Sequence, residues 1–228
     1  AEKSKACCTV EDAIDARRVA DRLDIPFYSF NYAERFRRII DYFVDEYRDG
    51  RSPIPCARCT QWIKFDVFHD LARELGAEYV ATGHYARIIE ESDGPRLARG
   101  IDGDKDQSYF LATIPYPVLK ECLFPVGHLH KQEVREKAGL GHLPVVDKAE
   151  SQEICFVPAN DYRRVIRQQA PESLVEGDIV DESGDKLGTH EGYAAYTVGQ
   201  RRGLGVASTE PKYVVKTDRQ TNQVVLGT

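Results

Sequence analysis

Two thiols stand three residues apart in Pro53-Ile54-Pro55-Cys56-Ala57-Arg58-Cys59, a stretch that reads as a loop held by two prolines. Cysteines at this spacing can share one metal ion or one disulfide. The spacing of apolar residues predicts a helix starting just after Cys59. A helix N-terminus and the neighbouring Arg58 would both favour thiolate over thiol there. Two buried structural cysteines are the plainer alternative. Tetrahedral zinc needs two more ligands, and the absence of a second such pair excludes a four-cysteine ribbon. The six histidines show no ligand-spaced cluster. A third thiol, Cys155, sits in Glu150-Ser151-Gln152-Glu153-Ile154-Cys155-Phe156-Val157-Pro158. A lone cysteine between apolar neighbours is ordinarily a core residue, and its separation from Cys59 leaves their pairing open. Cys7, Cys8 and Cys122 read as structural.

Two polar segments carry further chemistry. Asp104-Lys105-Asp106-Gln107-Ser108-Tyr109 is either the start of a helix or a set of phosphate and base-edge contacts. In Gly199-Gln200-Arg201-Arg202-Gly203-Leu204-Gly205, glycines allow close backbone approach and paired arginines can grip phosphate. A plain turn fits that segment equally well.

The elements that must position these groups alternate. Helices are expected over Thr9 to Leu23 (with Thr9 and Asp12 resembling a capping box), Ala33 to Asp49 and Thr60 to Leu75, the last two stopped by Gly50 and Gly76. Strands are expected at Phe27 to Phe30 and Tyr79 to Thr82. Such alternation implies crossover units and a parallel sheet, and ligands sit beyond the carboxyl ends of its strands, where Gly83 and His84 fall. Short helices are expected near Pro117–Glu121, Lys131–Ala138 and Asp161–Gln169. From Gly177 onward strands and turns are expected: Asp178–Asp181, Lys186–His190, Tyr193–Thr197, Tyr213–Thr217 and Val224–Leu226, with hairpin turns at Ser183-Gly184-Asp185 and Thr221-Asn222-Gln223. The fold class is thus α/β with a parallel sheet, followed by a small β-rich domain, with a boundary near residue 160.

The bulk properties narrow the class. At 228 residues, 42% hydrophobic and 30% charged, the chain has the composition of a globular protein. No apolar run approaches the roughly 18–20 residues of a membrane span, and the polar start carries no signal peptide. The net charge of −6 argues against a generic nucleic-acid binder. Local clusters at Arg35, Arg37 and Arg38, at Arg163, Arg164 and Arg167, and at Arg201 and Arg202 soften that reading, as solvated faces or as phosphate contacts. Six cysteines are too sparse for a secreted disulfide framework, which favours a reducing compartment. The sequence contains no methionine, which fits a fragment or a processed chain.

Ordered along the chain, eight segments resemble the tRNA-specific 2-thiouridylase family: Cys7-Cys8-Thr9; Gly50-Arg51-Ser52-Pro53; Cys59 with Ile63-Lys64-Phe65; Ala81-Thr82-Gly83-His84-Tyr85; Lys105-Asp106-Gln107-Ser108-Tyr109-Phe110-Leu111; Leu123-Phe124-Pro125-Val126-Gly127; Ser151-Gln152-Glu153-Ile154-Cys155-Phe156; and Thr197-Val198-Gly199-Gln200-Arg201-Arg202-Gly203-Leu204-Gly205. The resemblance implies an adenine-nucleotide alpha-hydrolase-like, Rossmann-like catalytic domain over residues 1–160 and a β-rich domain over 161–228. It implies ATP-dependent thiolation of a wobble uridine, with ATP and magnesium as cofactors. The uridine C2 oxygen is adenylated, sulfur attacks C2, and AMP leaves. By resemblance Cys59 is the nucleophile and Cys155 the persulfide carrier, and a disulfide between them follows sulfur release. Gly83 matches the ATP site, and His84, Lys105, Asp106 and Gln107 match tRNA contacts. Ile54, Pro55 and Cys56 match the stretch beside the target base. The partners implied are the tRNA anticodon loop and a cysteine desulfurase or sulfur carrier protein, in a bacterial cytoplasm or a mitochondrion.

Departures from the family pattern open alternatives. Ile54 and Thr60 stand where many relatives have asparagine. Cys56 stands where some members have aspartate, and with cysteine there a [4Fe–4S] cluster on Cys56, Cys59 and Cys155 becomes a rival to the persulfide. The family's Ser-Gly-Gly-x-Asp-Ser phosphate loop is not found in the sequence, nor is its C-terminal barrel. The expectation is therefore a fragment that does not turn over ATP by itself. A non-catalytic tRNA-binding module and a zinc or redox protein built on Cys56 and Cys59 are the rival functions.

Overall fold

A computed structural model describes residues 10–149 and 154–228. Cys7, Cys8, the proposed Thr9 cap and Glu150 to Glu153 lie outside the described residues. By their contacts the described residues form two units, one of residues 10–37 with 56–149, the other of 38–55 with 154–228.

Along the chain, α1 (Val10–Leu23) is followed by α2 (Ala33–Arg48). No strand forms at Phe27 to Phe30. Tyr28 and Phe30 are exposed, so the segment has no apolar surface to pair over. In α2, Ile39, Phe43, Val44 and Tyr47 recur at helical spacing and are buried. Both helix stops read from glycine hold: Gly50 and Gly76 take φ of +75° and +79°, a conformation that costs other residues more.

The third helix begins earlier than its apolar spacing suggests. A helical turn, α3 (Pro55–Cys59), leads directly into a π-helix at Thr60–Val67 and then α4 (Phe68–Glu74). Proline at the first helical position has its φ preset and lacks only an N–H that the first turn would leave over. Pro55 therefore starts the helix, where it had been read as part of a loop. In the π segment hydrogen bonds run over five residues, as from the Phe68 N–H to the Ile63 carbonyl.

Beyond it, β1 (Val80–Ala81) precedes a hairpin of β2 (Ala86–Glu91) and β3 (Gly94–Arg99), which sequence reasoning did not anticipate. Then come α5 (Ser108–Leu111), α6 (Tyr116–Leu119) and β4 (Cys122–Leu123), which pairs in parallel with β1. A parallel pairing is therefore present, but through β4, which was not expected as a strand, and not through one at Phe27 to Phe30. A 3-10 turn at Pro125–His128 and α7 (Lys131–Leu140) follow. Phe65, Val80, Ala86, Leu111, Leu119, Cys122 and Phe124 form the core of this unit.

In the other unit, α8 (Tyr162–Gln169) is capped by the Asp161 carboxylate, which accepts from the Arg163 N–H at 3.2 Å. Four strands follow: β5 (Gly177–Asp181), β6 (Lys186–His190), β7 (Tyr213–Asp218) and β8 (Gln223–Gly227), in sheet order β6-β5-β8-β7. A register shift between Val214 and Lys216 lets Val214 and Thr217, three apart, both be buried. The strand expected at Tyr193–Thr197 is instead a 3-10 turn at Tyr193–Ala195. Tyr193, Ala194 and Ala195 are all buried, which strand alternation cannot do on one face. The helix α2 supplies Phe43, Val44 and Tyr47 to this core, where Phe43 meets Phe156 edge-on at 5.1 Å and Tyr47 stacks on Tyr162 at 4.5 Å. Among the described residues no helix is long and apolar enough to cross a membrane.

Candidate functional site

Cys56 and Cys59 lie within the helical turn Pro55–Cys59. Residues three apart share a helix face, so the two thiols point to one side, with Cys56 exposed and Cys59 half-buried. Because the helix begins at Pro55, Cys59 stands a full turn inside it. The positive end of the dipole, which fades within the first turn, therefore acts on Cys56 more than on Cys59. The Arg58 guanidinium donates to the Gln61 side chain at 2.9 Å and lies over the Trp62 ring at 5.4 Å. The Ala57 carbonyl between the thiols accepts from the Thr113 hydroxyl at 3.4 Å.

The carboxyl end of β1 leads into Thr82, Gly83 and His84. His84 is buried between Phe65 and Phe124, with ring centroids 6.3 Å and 6.2 Å away. Its Nδ1 is 2.7 Å from the Thr82 hydroxyl and its Nε2 3.2 Å from the Lys64 ammonium. An ammonium only donates, so Nε2 is the acceptor and Nδ1 carries the proton, which it gives to Thr82. Burial, reinforced by the Lys64 charge, pushes the His84 pKa down to about 4 and keeps the ring neutral. Gly83 is exposed, and a methyl group added there would meet nothing within 4 Å.

Asp106 and Gln107 stitch the loops around this end together. The Asp106 carboxylate accepts from the Gly100 N–H at 3.0 Å and from the Ser108 N–H and hydroxyl at 3.1 and 2.9 Å. Burial opposes its ionisation, but these donors, with Arg99, outweigh it and hold its pKa below the ordinary value. The Gln107 carbonyl accepts from the Tyr85 N–H at 3.0 Å, beside His84. Lys105 is half-buried in the same loop. The first unit thus contains Cys56, Cys59, Gly83, His84, Lys105, Asp106 and Gln107.

Ile54, Pro55 and Cys155 belong to the other unit. Ile54 is exposed, and its N–H reaches the Tyr42 hydroxyl at 3.5 Å, whereas Pro55 is buried. Cys155 is half-buried on a turn anchored by the buried Val157. In the glycine-rich stretch, Gln200 serves the turn itself: its side chain accepts from the Thr197 N–H and donates to the Arg202 carbonyl. Arg163 and Arg167 line a cleft of about 800 Å³ with His190, Tyr196, Gly203 and Gly205.

Cys122 is buried, its thiol bonded to the Val118 carbonyl at 3.1 Å and pushed up to about 12 first by burial and then by Glu121. It is structural, as expected. Among the described residues no three of His, Cys, Asp or Glu gather as a metal-holding group. Sequence reasoning missed the partnership of Lys64 and Thr82 with His84. Only the shared strand end, where Thr82 and His84 flank Gly83, hinted at it, and a contact over twenty residues leaves no spacing signal.

Comparison with known proteins gives the family. Residues 1–159 match the model described as the tRNA methyl transferase HUP domain, and residues 163–228 match the tRNA methyl transferase PRC-barrel domain. Proteins named tRNA-specific 2-thiouridylase MnmA are similar over 99% of this chain. That of Geotalea uraniireducens is 52% identical, that of Chloroflexus aurantiacus 50% and that of Carboxydothermus hydrogenoformans 48%. The chain spans 61% to 63% of the length of these relatives. With an α/β nucleotide-binding unit built on a parallel pairing and a β-rich unit after it, the chain belongs to the family that these models describe, in which its relatives bear the name tRNA-specific 2-thiouridylase.

Proposed function

We propose that this chain forms the thiol-bearing and strand-end part of an ATP-dependent tRNA-uridine 2-sulfurtransferase acting on the wobble position. The observation that carries this reading is the helical turn bearing Cys56 and Cys59 on one face, in a chain 52% identical over its length to a named 2-thiouridylase. Oxygen at C2 is a poor leaving group, and adenylation by ATP, releasing pyrophosphate, makes it a good one. Sulfur must arrive as a nucleophile. In the reading we favour, Cys155 carries a persulfide. The Cys59 thiolate attacks its inner sulfur, a Cys59–Cys155 disulfide forms, and hydrosulfide is released. Hydrosulfide attacks C2 and AMP departs. A thiol reductant then restores both cysteines.

Gly83 leaves room for the nucleotide, and magnesium accompanies ATP. Ile54, Pro55 and Cys56 form the stretch beside the target base, which an unpaired loop can splay out, and His84, Lys105, Asp106 and Gln107 form the tRNA side. The sulfur comes from a cysteine desulfurase or a carrier protein, and the bacterial relatives favour a bacterial cytoplasm. The two family matches support modules of 1–160 and 161–228, although residues 38–55 pack with the second.

The test uses the full-length polypeptide that contains this chain, with unmodified tRNA, ATP, magnesium and a persulfide donor. Mass spectrometry should find 2-thiouridine at the wobble position with one AMP per thiolated base, and none with Cys59→Ser. Neither product from the unsubstituted protein overturns the reading.

A further inference from the structure

Lys64 is a half-buried cation with an unusual companion. Among the described residues its ammonium meets the Nε2 of a neutral histidine and no carboxylate. Cations removed from water are ordinarily neutralised by an anion. Here the fold instead supplies an acceptor without charge and locks that acceptor from behind. Thr82 holds Nδ1, Phe65 and Phe124 flank the ring, and His84 has no alternative orientation that keeps both bonds. The arrangement aims the ammonium while leaving its charge uncompensated.

Its position supplies the second observation. The pair stands at the carboxyl end of β1, where α/β sheets receive ligands. Gly83 lies between Thr82 and His84, and neither a left-handed φ nor a crowded neighbour accounts for glycine there, since the space beside it is open. A glycine with open space beside a charge without a counter-ion suits a ligand that brings negative charge close to the backbone.

We propose that Lys64, aimed by His84, is a phosphate contact at this strand end, with His84 a positioning residue that acts through it. The inference rests on the thiolation reading, which supplies two sources of phosphate, the nucleotide and the RNA backbone.

The full-length polypeptide is titrated with α,β-methylene-ATP and magnesium, and separately with an unmodified anticodon stem-loop RNA. Lys64→Gln removes the charge and keeps a polar group. Loss of a charged hydrogen bond should weaken one probe by on the order of tenfold to a hundredfold. Weakened nucleotide binding identifies the nucleotide phosphate, and weakened RNA binding the RNA backbone. His84→Gln, which retains an acceptor at the Nε2 position, should weaken the affected probe less than His84→Asn does. His84→Asn, which reaches only the Nδ1 side, should bind like Lys64→Gln. Circular dichroism and thermal midpoints confine the comparison to folded variants. If both probes bind Lys64→Gln as well as the unsubstituted protein, the inference is overturned alone. If the unsubstituted protein binds neither probe, the thiolation reading falls with it.

Discussion

His84 is neutral in the fold because burial and then Lys64 hold its pKa at about 4, against about 6.5 in an unfolded chain. Between these values the unfolded chain binds the extra proton and the folded one does not. The contribution to stability is therefore full above about pH 6.5 and is lost as pH falls toward 4. Urea unfolding of the protein across this window should show declining stability, and His84→Gln should flatten the decline. The thiols separate in the same residue-by-residue way. Cys122→Ala should cost about 1–2 kcal/mol through a small cavity and a lost hydrogen bond, with sulfur transfer intact, because that thiol stays protonated. Anaerobic reconstitution with iron and sulfide, assayed beside Cys56→Ser, tests the remaining role. The persulfide route expects little iron in either protein, whereas about four irons per chain, lost in the variant, would establish a cluster. Cys56, Cys59, Gly83 and His84 were legible in the sequence because each sits where a spacing or a strand end points. Lys64 was not, because its meaning lies in a contact with His84 across a helix and a strand.

At the scale of elements, local patterning set most helices and the final strands, and it failed where tertiary structure overrode it. The hairpin Ala86–Arg99 has a two-residue turn before Gly94 but mixed charged and apolar sides, so period-two alternation was weak. Tyr193-Ala194-Ala195 looks like a strand and is a turn because Gly192, at φ +141°, redirects the chain. The Tyr193 hydroxyl then donates to the Arg48 carbonyl at 2.7 Å, capping an orphan acceptor at the end of α2. Tyr193→Phe should destabilise the protein by about 1 kcal/mol, read as a lower denaturation midpoint with an unchanged slope. The helix start at Pro55 was visible as a proline. It was misread because two prolines so close together suggest a loop, and only the second opens the helix.

At the scale of the whole molecule, the β-rich unit is not contiguous in sequence. Phe43, Val44 and Tyr47 come from α2, and with Ile179, Val224 and Leu226 they form one core. No periodicity reports such a long-range union, so the sequence suggested a boundary near residue 160 and nothing of the earlier segment. A polypeptide of residues 161–228 alone should lack a cooperative thermal transition, since three large side chains worth about 1.5–3 kcal/mol each would be missing from its core. Adding a peptide of residues 38–55 should restore the transition, and a cooperative transition without it would contradict this account.

The early origin of α2 has a further consequence during synthesis. Its apolar stripe leaves the ribosome roughly 180 residues before β8, the last strand of the shared core, exists, a wait on the order of ten to forty seconds at ordinary elongation rates. Through that interval Phe43, Val44 and Tyr47, all buried in the finished protein, lack Val224 and Leu226 of the core they share. A nascent chain of this kind offers a hydrophobic helix to any holding chaperone, and slowing translation late in the message would lengthen that exposure.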